Sequence, residues 1–298
     1  MTENFETYRP LLFAIAYRML GSSMEAEDAV QEAFLRYQRT PPDEIRALKP
    51  FLTTVVTRLC LDQLKSARAQ RETYVGFWLP EPIRTGDDLG WVKPMSVENT
   101  VTARESVSMA FLILLEKLSP VERAVFLLRE VFEFSYAEIA ELVGKEEAAC
   151  RQAFHRARQH IHEHRSRFRA SAEARERITQ RFLEACFEGS VDSFTRLLAE
   201  DVVSMADGGG KVSGAGLYPV VGREKVARLY AGLVRRAPQN ITAEIASING
   251  VPAVVTWVES EVFAIILLET DGEYITQICN VVNPDKLRHV QRTTTTEV

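Results

Sequence analysis

The chain has 298 residues, of which 46% are hydrophobic, with a formal net charge of −5 at pH 7 and four scattered cysteines. This length allows more than one buried core, while the lack of an apolar run of about 18 residues or of a signal-peptide pattern argues against a membrane-spanning helix and predicts a cytoplasmic protein. The cysteines form no Cys-x-x-Cys pair, which argues against a disulfide framework and a zinc site. We expect no metal and no cofactor.

Residues 1–75 are predicted to form an all-α domain. A first helix over residues 5–20 ends at a glycine, and Ser22 with Glu25 has the capping-box spacing that opens a second helix. A third helix is predicted to start at about Phe51. Its basic residues are Arg58, Lys65, Arg68 and Arg71, and Asp62 is the only acidic residue between positions 51 and 71. This basic surface, in a chain that is acidic as a whole, predicts a contact with nucleic acid.

Residues 76–105 are predicted to be a linker, because glycine and proline recur through its first part. The linker contains Trp78 and Trp91, which are large apolar side chains that a freely solvated segment does not need. We therefore expect part of it to dock on a folded surface. A helix over residues 97–118 is predicted to follow.

Residues 106–170 have the spacing of a helix-turn-helix. Ser135 and Glu138 form a capping box before an apolar helix face, and Gly144 supplies the positive φ that the turn requires. The next helix places small and apolar residues toward the core at helical spacing. The opposite face and the turn before it carry Lys145, Glu147, Ala148, Arg151, Gln152, His155, Arg156 and Arg158. Arginine and glutamine form paired hydrogen bonds with guanine and adenine, so the motif predicts DNA binding, although an ordinary helical hairpin with a solvated face shares the spacing.

Residues 171–298 have the pattern of an α+β domain. The predicted elements are helices at about 172–188, 192–199 and 222–235 and strands at 201–206, 240–248, 253–259, 261–269 and 273–282. Asp271-Gly272 is a hairpin signal between the last two strands. Helices followed by an antiparallel sheet make this fold class.

Several motifs resemble one protein family. The block Ala26-Glu27-Asp28-Ala29-Val30-Gln31-Glu32-Ala33-Phe34 and the helix-turn-helix resemble regions 2 and 4 of extracytoplasmic-function (ECF) sigma factors. Three more motifs are similar to those of ECF sigma factors with a fused SnoaL-like domain, namely Trp78-Leu79-Pro80-Glu81-Pro82, Asp207-Gly208-Gly209-Gly210-Lys211 and Asn283-Pro284-Asp285-Lys286-Leu287. The resemblance covers essentially the whole chain. It implies a multidomain protein with two all-α sigma domains, followed by a cone-shaped α+β domain like that of nuclear transport factor two.

The resemblance also implies a function, in which the protein binds core RNA polymerase at the clamp of the β′ subunit and directs promoter-specific transcription initiation. The implied polymerase contacts are Asp28, Gln31 and Glu32, and the implied −10 DNA contacts are Arg58, Lys65, Arg68 and Arg71. In the helix-turn-helix, Arg151, Gln152 and His155 would read −35 bases, whereas Lys145, Arg156 and Arg158 suit phosphates.

The C-terminal domain, residues 171–298, is expected to contact the sigma domains of its own chain and to regulate them. The residues expected to make this contact are Trp78, Pro80, Asp207, Gly208, Gly209, Gly210, Lys211, Asn283, Pro284, Asp285 and Lys286. Such a domain would replace a separate inhibitory protein by fixing the separation of the two DNA-binding domains.

Two other functions are open at this stage. A one-component regulator that senses a small molecule would bind DNA without polymerase, but it leaves residues 26–34 unexplained. An enzyme fused to a DNA-binding module would use Asp207 as acid or base. The three glycines after Asp207 predict a tight turn rather than a dry pocket wall, and no neighbouring histidine or carboxylate completes a catalytic pair. We therefore rank the sigma factor first and expect no catalytic residue.

Overall fold

A computed structural model describes residues 4–72, 74–85, 105–165, 170–212 and 214–290. The chain forms two compact units, the first from residues 1–73 and 87–164 and the second from residues 74–86 and 165–298. Residues 74–85, which we call the linker strap, therefore fold with the second unit, although in the sequence they lie between the two helical parts of the first. Residues 86–104, including Trp91, lie outside the described part.

The first unit is helical. Its helices are α1 (Phe5–Leu20), α2 (Ser23–Arg39), α3 (Leu48–Glu72), α4 (Met109–Glu116), α5 (Pro120–Phe126), α6 (Tyr136–Val143) and α7 (Glu147–Arg165). Helices α1, α2 and α3 pack on one another, and α3 also contacts α5 and α6. A π-helical turn, Leu127–Val131, follows α5. The predicted all-α domains are confirmed.

Two predicted helix boundaries in this unit are wrong. Helix α3 begins at Leu48 rather than near Phe51, because a proline in the first turn, here Pro50, interrupts no intrahelical hydrogen bond. The predicted helix over residues 97–118 is divided in its described part. There, Ser108 caps α4 by accepting a hydrogen bond from the Phe111 N–H, and a 3₁₀ turn precedes it.

The second unit is an α+β domain. Its helices are α8 (Ala172–Glu188), α9 (Val191–Thr195), α10 (Arg223–Arg236) and α11 (Pro284–Leu287), and its strands are β1 (Leu198–Asp207), β2 (Val220–Val221), β3 (Ile241–Ile248), β4 (Val251–Val258), β5 (Glu261–Thr270) and β6 (Ile275–Val281). Helix α9 is shorter than the predicted helix at 192–199, because Leu198 already pairs with Ile275 at the start of β1.

The six strands form one mixed sheet in the order β2-β1-β6-β5-β4-β3. The predicted antiparallel sheet is confirmed for β3, β4, β5 and β6, but β1 pairs with β6 in parallel, which the sequence did not predict. Helices α8 and α10 pack against the sheet. The rings of Phe182, Phe194 and Tyr230 pack against one another with centroids 5.4–5.9 Å apart. They belong to the hydrophobic core of this unit. The parallel pairing brings the ends of β1 and β6 together, so Asp207 and Asn283 become neighbours.

Candidate nucleic-acid interface and linker contact site

The helix-turn-helix is built by local hydrogen bonds. Ser135 Oγ accepts from the Glu138 N–H at 3.3 Å, and Glu138 Oε2 accepts from the Ser135 N–H at 2.7 Å. The Ser135 hydroxyl also donates to Glu138 Oε2 at 2.7 Å, and this bond together with that from the Ser135 N–H lowers the pKa of Glu138. At the other end of α6, Gly144 has φ +66° and donates to the Ala140 carbonyl. The two helix termini therefore set the position of α7.

Helix α7 turns one face inward and leaves a polar face in solvent. Cys150, Ala153, Ala157 and Ile161 are buried. The exposed residues of the proposed DNA face are Lys145, Ala148, Arg151, Gln152, His155, Arg156 and Arg158, and Glu147 is half-buried. The structure thus brings these side chains onto one surface of the first unit.

Two arginines of this face already have partners. Arg151 pairs with Glu147 one turn before it and lies over the Tyr136 ring, with its Cζ 4.4 Å from the ring centroid. Arg156 Nε lies 2.7 Å from Glu122 Oε1. Burial opposes the charge on Glu122, but hydrogen bonds from Arg156 and Ser119 lower its pKa. Both guanidiniums are therefore oriented before any ligand binds.

Helix α2 presents a continuous outer stripe. Asp28 and Gln31 are exposed, and the apolar side chains Met24 and Leu35 on the same helix are 62% and 41% exposed. Positions 24, 28, 31 and 35 follow helical spacing and share one face. Glu32 lies beside this stripe, with one of its carboxylate oxygens 2.8 Å from Arg36 Nε.

The basic residues of α3 are distributed differently. Arg58 Nη2 donates to the Glu141 carbonyl at 3.0 Å and its Nε to the Leu142 carbonyl at 3.3 Å, at the C-terminal end of α6. Lys65 is exposed and pairs with Asp62 at 2.8 Å. The side chains of Arg68 and Arg71 lie outside the described residues. In this structure, therefore, Arg58 is engaged with the helix-turn-helix.

The sequence did not indicate two fully buried arginines in the first unit. Arg18 Nε and Nη2 donate to Ser106 Oγ at 3.1 and 2.9 Å. Arg123 Nη1 donates to the Met19 carbonyl at 2.6 Å and lies 2.7 Å from Glu116. Burial lowers the pKa of Arg18 and of Arg123 to about 9 each. These contacts join α1 to the residues around α4 and α5.

In the second unit, Asp207 is the centre of the contacts to the linker strap. Its Oδ1 accepts from Tyr74 Oη at 2.6 Å and from the Gly209 N–H at 3.1 Å. Its Oδ2 accepts from the Leu79 N–H at 2.8 Å and from Lys286 Nζ at 2.7 Å. Burial and the bond to this carboxylate raise the pKa of Tyr74. Four donors thus satisfy a carboxylate that is fully buried.

The glycines after Asp207 form the predicted turn, with the Lys211 N–H donating to the Gly208 carbonyl. The sequence predicted that Asp207 would not lie in a dry, water-excluded environment. This prediction is wrong, because Asp207, the last residue of β1, is fully buried. Gly209 has φ +60°, and a Cβ at this position would lie 2.3 Å from Asn283 Nδ2. Gly208 and Gly210 are similarly crowded, by Ala215 and Val75. The turn therefore needs glycine for close approach.

The residues at 283–286 complete this site. Asn283 caps α11 through the Asp285 N–H and donates from Nδ2 to Tyr74 Oη at 2.9 Å. Lys286 Nζ lies over the Trp78 ring, 4.2 Å from its centroid, and donates to the Leu79 carbonyl. Pro284 is the first residue of α11, Pro80 is buried, and Lys211 pairs with Asp285. The three separated motifs of the sequence therefore meet around the linker strap.

The second half of the linker strap has contacts that sequence reasoning missed. His289 Nδ1 lies 2.9 Å from Glu81 Oε1, and its Nε2 lies 2.7 Å from the Pro82 carbonyl. Arg84 forms an antiparallel bridge with Ile248, and the Thr85 N–H donates to the Ser247 carbonyl at 2.9 Å. A histidine shortly after residues 283–287 was the available signal for the first contact. No feature of the sequence signalled the pairing of Arg84 with Ile248 or the hydrogen bond from Thr85 to Ser247.

Among the described residues, no helix is long and apolar enough to cross a membrane. In the same part of the chain, no three side chains of His, Cys, Asp or Glu converge as a metal site.

Comparisons with known proteins match this arrangement. Residues 5–70 match the family model for Sigma-70 region 2, and residues 108–161 match that for Sigma-70, region 4. The ECF RNA polymerase sigma factor SigJ of Mycobacterium tuberculosis is 38% identical over 83% of this chain and 78% of its own length. A probable ECF RNA polymerase sigma factor of the same organism, SigI, is 35% identical over 95% of this chain and 93% of its own. The crystal structure of SigJ superposes with a TM-score of 0.72 at 32% identity, covering 95% of this chain and 97% of that one.

Proposed function

The chain belongs to the ECF RNA polymerase sigma factors, and from this premise we propose that its C-terminal α+β domain modulates promoter-directed transcription through the linker strap. As a sigma factor the chain is a transcription initiation factor rather than an enzyme, and it binds core RNA polymerase and promoter DNA.

The α2 stripe is the proposed docking surface for the clamp of the polymerase β′ subunit. Its two exposed apolar side chains, Met24 and Leu35, flank the polar pair Asp28 and Gln31. Such a stripe supports binding to a helical partner, since apolar contacts supply affinity while Asp28 and Glu32 select a basic surface.

The proposed promoter contacts lie on α3 and α7. The exposed face of α7 presents Arg151, Gln152 and His155 for −35 bases, with Lys145, Arg156 and Arg158 for phosphates. On α3, Lys65, Arg68 and Arg71 are proposed for −10 DNA. Arg58 would first have to leave its two carbonyl acceptors on α6, so its DNA contact requires a rearrangement within the first unit.

The observation that carries regulation in cis is the hydrogen bonding of Asp207 to the linker strap. Tyr74 and the Leu79 backbone belong to the segment that connects the two sigma regions, and the Asp207 carboxylate binds both. The length and direction of that connection control the effective concentration at which the second DNA site meets its target. A domain that holds the connection therefore influences transcription without touching DNA.

The test is Asp207→Asn in the full-length chain, with Asp201→Asn as a matched control on an exposed position of the same strand. Core polymerase binding and promoter-directed transcription are measured on the same preparations. We expect Asp207→Asn to change transcription roughly fivefold or more, the low end of typical coupling between sites, with core binding retained. Equal transcription for both variants, together with loss of linker strap docking in Asp207→Asn by hydrogen exchange, would contradict the proposal.

A further inference from the structure

Tyr136 joins three elements of the helix-turn-helix through its ring. It is the first residue of α6, and its ring centroid lies 4.4 Å from Arg151 Cζ on α7 and 5.1 Å from Arg129 Cζ in the π-helical turn. The ring of Phe154, also on α7, meets it edge-on at 5.9 Å. An aromatic ring attracts a guanidinium stacked on its face and so restricts the orientations of that group.

The ring is itself held in place. Ser135 immediately before it is the N-cap of α6 and forms a complete capping box with Glu138. Arg129 is fixed independently, because its Nη1 donates to the Phe134 carbonyl at 3.0 Å. Tyr136 is half-buried, so packing limits its movement. It is therefore a rigid platform rather than a mobile surface side chain.

Arg151 is the residue that this platform orients. Its side chain is 59% exposed, and its guanidinium pairs with Glu147 one turn earlier on α7. The salt bridge to Glu147 restrains the position of the guanidinium, and stacking on the Tyr136 ring restrains the orientation of its plane. Without the ring, an exposed arginine samples many rotamers, and a single exposed ion pair does little to restrict them. Arginine reads guanine through two hydrogen bonds in one plane, a geometry that depends on orientation.

We propose that Tyr136 is a specificity-determining positioning residue, whose ring orients Arg151 to read a guanine in the −35 element. This inference rests on the proposed role of Arg151 in −35 recognition. It assigns base discrimination at one position of the promoter to a residue of α6, the helix that precedes α7. Tyr136 itself contacts no base in this proposal.

A purely structural role for Tyr136 has a different signature. If Tyr136 only supported the packing of Phe154, its loss would weaken binding to every −35 sequence equally and would lower the thermal stability of the protein. A positioning role acts on one base pair, because only the Arg151 contact depends on the stack. Discrimination between bases therefore separates the two roles, whereas total activity does not.

The experiment uses the full-length chain with core RNA polymerase on a promoter library in which the −35 region is randomised. Transcripts are sequenced for the wild type, Tyr136→Met, Tyr136→Phe, Arg151→Ala and the double variant Tyr136→Met/Arg151→Ala. Methionine keeps an apolar side chain that can fill the site but removes the aromatic face, and phenylalanine retains the face. Thermal unfolding of each variant is measured in parallel.

We expect Arg151→Ala to remove the base preference at one position, which identifies its base pair. Tyr136→Met should reduce the preference at that same position roughly tenfold, within the discrimination that one bidentate contact supplies, and Tyr136→Phe should retain it. In the Arg151→Ala background, Tyr136→Met should have no further effect on base preference, because the two residues act through one contact.

Each other outcome has a definite meaning. If Arg151→Ala leaves all base preferences unchanged, the proposed −35 role of Arg151 is wrong, and the inference ends with it. If Arg151→Ala removes a preference that Tyr136→Met retains, the role of Arg151 stands and the positioning role of Tyr136 is overturned. A uniform loss across all positions in Tyr136→Met, or an equal loss in the Arg151→Ala background, also overturns it.

Discussion

The Lys286 ammonium lies 2.7 Å from the Asp207 carboxylate, with side-chain exposures of 12% and 0%. In the sequence, Asp207 ends the first strand of the sheet and Lys286 follows the last, and the parallel pairing of β1 with β6 brings them together. The linker strap lies within the same network, since Tyr74 and Leu79 bind the same carboxylate. Docking of the linker strap and folding of the C-terminal domain are therefore coupled.

Lys286→Met is expected to destabilise the second unit by about 3–5 kcal/mol, because it leaves the buried Asp207 carboxylate without its cation. The measurement is denaturant unfolding of the full-length chain, followed by circular dichroism and by tryptophan fluorescence, to which Trp78 under the Lys286 ammonium contributes. Lys225→Met, at an exposed position of α10, is the control and should change stability by less than about 0.5 kcal/mol. Similar values for the two variants would exclude a structural role for the ion pair.

His289 is expected to make the stability of the second unit depend on pH. Its two ring nitrogens face the Glu81 carboxylate and the Pro82 carbonyl, and only the doubly protonated ring donates to both. Burial acts to lower the pKa of His289, but the hydrogen bond and charge of Glu81 and the Pro82 carbonyl outweigh it and raise the pKa above its ordinary value.

Because the folded-state pKa of His289 is the higher one, its contribution is fully present below the unfolded value of about 6.5 and is lost as pH rises through the folded value. The measurement is urea unfolding of the wild type and of His289→Gln at pH values from below 6.5 to above the folded-state pKa of His289. The stability difference between them should be largest at low pH and shrink as pH rises. A difference that is constant with pH would contradict the charged pair.

Gly209→Ala is expected to be more destabilising than Gly214→Ala. Both glycines have positive φ, +60° and +89°, but an added Cβ meets Asn283 at 2.3 Å in the first and no atom within 4 Å in the second. Both variants carry a positive-φ backbone penalty, so their difference reports mainly the steric clash. Overpacking of this kind costs about 1–3 kcal/mol. Thermal unfolding of the two variants measures it, and equal midpoints would show that Asn283 moves aside freely.

Asp28→Lys is expected to weaken binding to core RNA polymerase roughly tenfold or more, equivalent to about 1.4 kcal/mol, because it reverses the charge at the centre of the α2 stripe. Anisotropy of the labelled full-length chain gives the affinity. Glu261→Lys, an exposed charge reversal in the second unit, is the control and should retain wild-type affinity. If both variants bind like the wild type, the polymerase contact lies elsewhere on the chain.

The helix-turn-helix formed by α6 and α7 shows how much of the structure the local sequence pattern predicts. The capping box of Ser135 and Glu138, the αL glycine at 144 and the exposed face of α7 were all predictable, because each depends on residues within about one or two helical turns. The contacts of basic side chains with other helices were not predictable. The Glu122 contact of Arg156 and the carbonyl acceptors of Arg58 come from helices that are distant in the sequence.

The C-terminal site shows the same division. The motifs around Trp78, Asp207 and Asn283 were evident in the sequence, but neither the parallel β1–β6 pairing nor the complete burial of Asp207 was. Parallel neighbours have no hairpin turn between them to signal their pairing. No periodic sequence pattern predicted the burial of Arg18 and Arg123 or the contact of His289 with Glu81.

The sequence by itself determined the helices, the turns, the exposed basic face of α7 and the order of the domains, because these depend on backbone preferences and on side chains close together in the chain. The tertiary structure alone decided which of these groups meet. It placed Tyr74, Leu79, Gly209 and Lys286 around the buried Asp207 carboxylate, since a buried charge is stable only where packing assembles all of its hydrogen-bond donors.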